Sequence, residues 1–159
     1  IQDKGITQIG SNNLLMCFVH VAHDCVIGDN SILATVATLV GHVHIGNWVI
    51  MGGLTAAHQF CHIGDHSFIG GGAIILADVP PFIMVGNDGE PRGINSEGLK
   101  RRGFSSETIT QIKRSYKILY RHNNRASEAV EKLMELPGGT QEVKLLADFV
   151  NRSSRGIVR

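Results

Sequence analysis

Seven of the eight histidines lie between positions 20 and 66: His20, His23, His42, His44, His58, His62 and His66. Imidazole titrates near neutral pH, so it can take a proton from an alcohol and return it to a leaving group. Asp24 follows His23 directly, and a carboxylate in that place can orient an imidazole and stabilise its charged form. Gly41 precedes His42. A glycine N–H can approach a developing oxyanion closely. These residue types together suit acid–base chemistry on a carbonyl or a hydroxyl.

Something must bring positions 18 residues apart together, and the chain carries that device. Read in sixes, it opens with an apolar residue twelve times running: Ile9, Leu15, Val21, Ile27, Leu33, Leu39, Ile45, Met51, Ala57, Ile63, Ile69 and Ile75. The fifth place is small or apolar throughout apart from Asn13. Gly10, Gly28, Gly46 and Gly64 recur every 18 residues. Three sixes therefore make one turn, the pattern of a parallel β-helix of hexapeptide repeats. Residues 18 apart become neighbours in adjacent coils, about 4.8 Å away.

That rule sorts the histidines. His23, Gly41 and Gln59 share a column, and Asp24, His42 and Phe60 share the next. His58 stands beside Gln59, so six polar or glycine positions gather at one edge over three coils. Asp24 has two possible partners, His23 and His42. His44 stacks on His62. No set of side chains has a diagnostic metal-ligand spacing, so no metal is expected. Cys25 and Cys61 point inward two coils apart, roughly 9–10 Å, too far for a disulfide. A reducing compartment is expected.

Residues 1–80 are expected to hold the coils, 81–103 a connector, and 104–159 a helical domain. The repeat is in register by Ile9 and the chain does not begin with Met, so earlier coils are expected to be missing. Pro80 and Pro81 should stop the ladder, since proline cannot donate to it. Residues 82–103 read as irregular. Ser105 or Ser106 can cap a helix with Ile109, Ile112, Tyr116 and Leu119 on one face and Lys113, Arg114, Lys117 and Arg121 on the other. Ser127 can cap a second helix, broken at Pro137, Gly138 and Gly139. A third should run from about Gln141 to Val150. The last nine residues read as a polar, basic tail.

Net charge is only +1, but residues 92–125 hold nine Lys or Arg against two acids. The stretch is a local basic patch on a nearly neutral chain, and no nucleic-acid partner is expected. No apolar run has membrane-spanning length and no signal peptide opens the chain. Two outward columns are apolar: Leu14, Ile32, Ile50 and Phe68, and Phe18, Val36 and Leu54. Contiguous stripes of that kind mark an interface, so self-association is expected unless loops or helices cover them.

The runs LLMCFVHVAHDCVIG, GHVHIG, GGLTAAHQF, DVPPF and GINSEGLKRRGFS, in that order, closely resemble the acyl-ACP–UDP-N-acetylglucosamine O-acyltransferases that begin lipid A synthesis in Gram-negative bacteria. The match covers essentially the whole chain, as the C-terminal part of such an enzyme. The resemblance implies a left-handed coil, against the usual right-handed crossover. It implies a cytoplasmic homotrimer with active sites in clefts between subunits, using acyl carrier protein and UDP-N-acetylglucosamine and no cofactor of its own. His23 would be the base, Asp24 its orienting partner and Gly41 the oxyanion donor. His20, His42, His58, Gln59, Asn95, Glu97, Arg101 and Arg102 would bind substrate. Phe68 and Gly71 would line the acyl groove, and Lys113, Arg114, Lys117 and Arg121 would dock the carrier. Three other readings stand beside it: a hexapeptide N-acyltransferase on an amino-sugar nucleotide, a β-helix metalloenzyme of carbonic anhydrase type, and an inert scaffold.

Overall fold

The computed structural model describes residues 5–122, 124–137 and 139–159. The expected break at Gly138 falls outside them, as do residues 1–4. Twelve two-residue strands follow one another at six-residue intervals: β1 (Gln8–Ile9), β2 (Leu14–Leu15), β3 (His20–Val21), β4 (Val26–Ile27), β5 (Ile32–Leu33), β6 (Thr38–Leu39), β7 (His44–Ile45), β8 (Ile50–Met51), β9 (Ala56–Ala57), β10 (His62–Ile63), β11 (Phe68–Ile69) and β12 (Ile74–Ile75). They form three parallel faces. The first holds β1, β4, β7 and β10; the second β2, β5, β8 and β11; the third β3, β6, β9 and β12. Register runs in steps of 18, as in Val26 beside His44 and His44 beside His62.

Burial follows the sixes. The first and fifth places turn inward: Cys25, Leu33, Ala37, Leu39, Val43, Val49, Met51 and Ala57 are fully buried. Corners need a chain reversal, and the fourth place of each six from Asn12 to Gly72 supplies it in the left-handed backbone region. Asp24, Val36, His42, Trp48 and Phe60 have φ of 57°, 64°, 63°, 59° and 65°. That region costs an L-residue roughly 1–2 kcal/mol, most for a β-branched one such as Val36. The ladder's backbone bonds offset it, as where Val36 N–H donates to the Cys17 carbonyl at 3.1 Å. The 18-residue glycine column has another cause. A Cβ on Gly28 would lie 2.9 Å from the Gly46 carbonyl carbon, so adjacent coils touch backbone to backbone there.

The region after Pro80 differs from the sequence expectation. The two prolines do not end the ladder: Val79 bridges to Ile63, and β13 (Ile83–Val85) extends the second face beside β11. β14 (Pro91–Ile94) then pairs antiparallel with β13. The expected irregular connector is thus a hairpin followed by a short helix, α1 (Ser96–Arg101). Pro81 fits because the pairing resumes only at Phe82, whose N–H donates to the Asp65 carbonyl at 2.8 Å.

Ser105 caps α2 (Ser106–Tyr120), accepting the Thr108 N–H at 3.0 Å. Its buried side is Ile109, Ile112, Tyr116 and Leu119, as the periodicity indicates. Ser127 is not a cap: α3 (Ala126–Met134) begins before it, with the Arg125 N–H donating to the Glu128 carboxylate at 3.0 Å. α4 (Gln141–Arg152) packs on α3 and α2 and buries Val143, Leu146, Ala147 and Val150. The tail does not trail away. Ile157 bridges to Asp78, and Arg159 Nη1 donates to the Leu119 carbonyl at 2.9 Å. Neither loops nor helices cover the outer apolar column at the second corner: Phe18 is 81% and Leu54 69% exposed.

Candidate active site

The corner between the third and first faces carries the polar residues that the 18-residue rule groups. His23 is exposed, and its Nδ1 lies 3.1 Å from Oδ2 of Asp24. Asp24 is buried, 8% exposed, and its Oδ1 accepts the Gly5 N–H at 2.9 Å. The hydrogen bond from His23 holds the Asp24 carboxyl below its ordinary range; the Gly5 N–H and the positive field of His42 act the same way, against its burial. Asp24 therefore pairs with His23, its chain neighbour. His42 meets His23 edge-on, ring centres 5.1 Å apart, and stacks on Phe60 at 4.6 Å. Its backbone is fixed by its N–H donating to the His23 carbonyl at 3.0 Å.

Gly41 is glycine for a reason visible in the geometry. A Cβ there would stand 2.6 Å from both Cε1 and Nε2 of His23. The imidazole thus lies directly over the Gly41 backbone. The corner between the first and second faces shows what is special about this one. There the third-place N–H groups are capped by side chains one coil on: Ser11 by Asp29 Oδ1 at 2.6 Å, Asp29 by Asn47 at 2.7 Å, Asn47 by Asp65 at 2.8 Å. At the His23 corner the same places hold His23, Gly41 and Gln59. Among the described residues the Gly41 N–H has no acceptor. A donor with no acceptor of its own beside an imidazole is what a developing oxyanion needs.

The other expected site residues divide. His20, on β3, and His58 and Gln59, after β9, are exposed and belong to the third face or its edge with the first. His58 Nδ1 lies 3.4 Å from Arg155 Nη2, which also donates to the Leu76 carbonyl at 3.3 Å. No sequence signal marks that contact across 97 positions. Asn95, Glu97, Arg101 and Arg102 stand instead around the far corner of the first face. Arg102 lies 5.2 Å from the Trp48 ring centre and its Nη1 is 3.3 Å from His66 Nδ1. Burial, and then the charge of Arg102, lower the His66 imidazole below its ordinary value, so it serves as a neutral acceptor. The Trp48 and His66 column was readable from the 18-residue rule, its aromatic character included. Glu97 is exposed and bonded to Lys100 at 2.8 Å, which holds its carboxyl low, and Arg101 is exposed.

Asn95 is buried and spoken for. Its Oδ1 accepts the Gly98 N–H at 3.1 Å as cap of α1, and its Nδ2 donates to the His66 carbonyl at 2.9 Å. Asn95→Ala should lower stability by about 1–2 kcal/mol from the lost cap and clamp. That is a fall in Tm of roughly 2–8 °C, read by calorimetry. An unchanged Tm would leave Asn95 with no clamping role.

Phe68 is half-buried on the second face beside Ile50 and Met84, and Gly71 stands at the next corner with the Gly53 carbonyl oxygen 3.3 Å from where a Cβ would be. Lys113, Arg114, Lys117 and Arg121 share a groove with Met84 and Arg92, and among the described residues its lining holds no carboxylate.

Residues 78–158 match the family described as UDP N-acetylglucosamine O-acyltransferase, domain 2, and residues 6–35 match the bacterial transferase hexapeptide repeat. The chain belongs to the UDP-N-acetylglucosamine O-acyltransferase family. It is 49% identical over its whole length to the acyl-[acyl-carrier-protein]–UDP-N-acetylglucosamine O-acyltransferase of Thiobacillus denitrificans, and 50% identical over 99% of its length to that of Herminiimonas arsenicoxydans. It spans 62% of each of those proteins. The UDP-N-acetylglucosamine O-acyltransferase of Moraxella catarrhalis superposes over the whole chain with a TM-score of 0.95 at 44% identity, and the chain covers 62% of it. The Acinetobacter baumannii structure matches 99% of the chain and is itself 62% covered, also at 0.95, with 43% identity. With this family comes the left-handed sense of the coil. Among the described residues no helix is long and apolar enough to cross a membrane.

Proposed function

We propose that the protein moves a 3-hydroxyacyl chain from acyl carrier protein to the 3-hydroxyl of UDP-N-acetylglucosamine, the first step of lipid A synthesis. The observation that carries this reading is the His23–Asp24 pair standing directly over Gly41. Asp24 holds His23 Nδ1–H, so Nε2 is the basic nitrogen. Nε2 takes the proton of the sugar hydroxyl as its oxygen attacks the thioester carbonyl. The tetrahedral oxyanion receives the Gly41 N–H. The carbon–sulfur bond then breaks, and the imidazolium returns its proton to the departing thiolate. Mass is conserved without an acyl-enzyme and without a metal or organic cofactor; the carrier brings its own phosphopantetheine arm.

His42, His20, His58 and Gln59 would line the same edge around the sugar and the donor arm. Asn95, Glu97, Arg101 and Arg102 stand across the first face from them, so one protomer does not unite the two groups. A homotrimer that sets one subunit's His23 corner against its neighbour would unite them in a cleft. The exposed Phe18 and Leu54 support such an assembly. Phe68 and Gly71 would border the acyl chain. The reading belongs in the cytoplasm; free Cys17, Cys25 and Cys61 are in keeping with a reducing compartment.

Acyl carrier protein is acidic, and the groove of Lys113, Arg114, Lys117 and Arg121 complements it. Such complementarity mainly raises the association rate. Reversing Lys117 and Arg121 to glutamate should raise the KM for acyl carrier at low salt, with the difference shrinking as salt rises. Equal KM values at low salt would remove these residues from docking.

The reading is tested by mass spectrometry of products from UDP-N-acetylglucosamine and a mixture of 3-hydroxyacyl carriers. The expected product is one O-acylated sugar nucleotide, with fragmentation placing the chain on the 3-oxygen. Absence of any acylated sugar nucleotide, or acylation of amino-sugar acceptors alone, would overturn it.

A further inference from the structure

His23, Asp24 and His42 present one ligand atom each, all within 4.8 Å of one another. Among the described residues no other group of three such side chains comes so close. We propose that these three side chains form a binding site for a first-row divalent cation, zinc by preference, whose occupation switches the base off. The inhibitory half of this proposal rests on the acyl-transfer reading; the binding half does not.

The dimensions fit. Zinc takes imidazole nitrogen and carboxylate oxygen at about 2.0–2.2 Å, which sets neighbouring ligand atoms of a tetrahedron roughly 3.3–3.5 Å apart. His23 Nδ1 and Asp24 Oδ2 are already 3.1 Å apart. The supports fit as well. Ligating carboxylates are held by a further hydrogen bond, and the Gly5 N–H supplies one to the other oxygen of Asp24 at 2.9 Å. The backbone joining the His23 coil to the His42 coil is closed by a hydrogen bond of 3.0 Å, so the two imidazoles start close. His23 is exposed, which leaves a fourth position open to water. Two imidazoles and a carboxylate suit zinc or cobalt better than magnesium or calcium, which take mainly oxygen.

The consequence for catalysis follows from the tautomer. With Asp24 as partner, the neutral His23 ring carries its proton on Nδ1, and Nε2 is the basic nitrogen on the acyl-transfer reading. A cation bound at Nδ1 moves that proton to Nε2. No proton leaves the ring, yet the basic nitrogen is gone. A metal here opposes the reaction, the reverse of what a metalloenzyme of this fold would require.

Cobalt(II) titration of the purified chain, followed by its visible absorption and displaced with zinc, tests the site. The expected result is one cobalt per chain, with affinity lowered about 10–100-fold or more in His23→Gln and in His42→Asn. His44→Asn, on the stacked His44–His62 pair, should bind as the parent does. His23 is exposed, so its variant folds even if His42→Asn does not. Acyl transfer should fall in step with zinc occupancy and return on chelation. No stoichiometric binding, or binding unchanged in His23→Gln, overturns the site. Binding lost in the variants while transfer continues at full occupancy keeps the site and removes His23 as the base. Activity abolished by chelator and restored by zinc overturns the proposal from the other side.

Discussion

Replacing His23 by alanine should lower acyl transfer by about 10²–10⁴-fold in kcat, the usual contribution of a positioned general base. That corresponds to roughly 2.7–5.5 kcal/mol of transition-state stabilisation. Stability should hardly change, because the His23 ring is exposed. The Asp24 carboxylate keeps the Gly5 N–H in the variant. Binding of UDP-N-acetylglucosamine, measured by calorimetry, should survive. Normal turnover in His23→Ala would sink the base assignment and with it the mechanism. Asp24→Asn should act in the same direction, since an amide can present the wrong atom to Nδ1.

Gly41→Ala is expected to be nearly as damaging, for a steric reason. Its Cβ would meet Cε1 and Nε2 of His23 at 2.6 Å, closer than a methyl carbon can stand to a ring. The ring is the more movable partner and must swing away. A displacement of about 1 Å at a reacting group can cost on the order of 10²-fold. The added methyl also crowds the path to the Gly41 N–H. The double variant separates the two effects. If alanine at 41 acts through the imidazole, it should cost little more once His23 is already alanine, because coupled residues are not additive. A full additional 10²-fold loss in the double variant would assign the effect to the N–H instead. A fully active Gly41→Ala would show that the ring does not lie over that backbone during turnover.

The coil was the legible part of this chain. Its inward positions have a strict period, and the 18-residue offset alone placed His23 above Gly41 and His44 beside His62. What the offset could not decide was the pairing of Asp24. Both His23 and His42 were in reach, and the left-handed backbone at Asp24 and its bond from Gly5 turn the carboxylate toward His23. Past Pro80 the period ends and legibility drops. Prolines and glycines there suggested a loose connector, whereas Phe82 re-enters the ladder and Asn95 clamps α1 to the corner at His66. Ser127 was a reasonable cap by residue type, but Glu128 reaching the Arg125 N–H starts the helix earlier. The strap from Gly156 to Arg159 was invisible, since its anchors, Asp78 and Leu119, are 40 or more residues away in sequence.

Because each coil is one rung of fixed height, length along this axis comes only in whole rungs of about 4.8 Å. An insertion or deletion within the ladder that is not a whole multiple of 18 residues would move later side chains off their faces. The separation between the His23 rung and the rung bearing Phe68 and Gly71 therefore cannot be fine-tuned by lengthening the backbone. If Phe68 and Gly71 border the acyl chain as proposed, adjustment to a cargo longer or shorter by one or two carbons is left to the bulk of such side chains on a rigid scale, a phenyl at 68 and a hydrogen at 71.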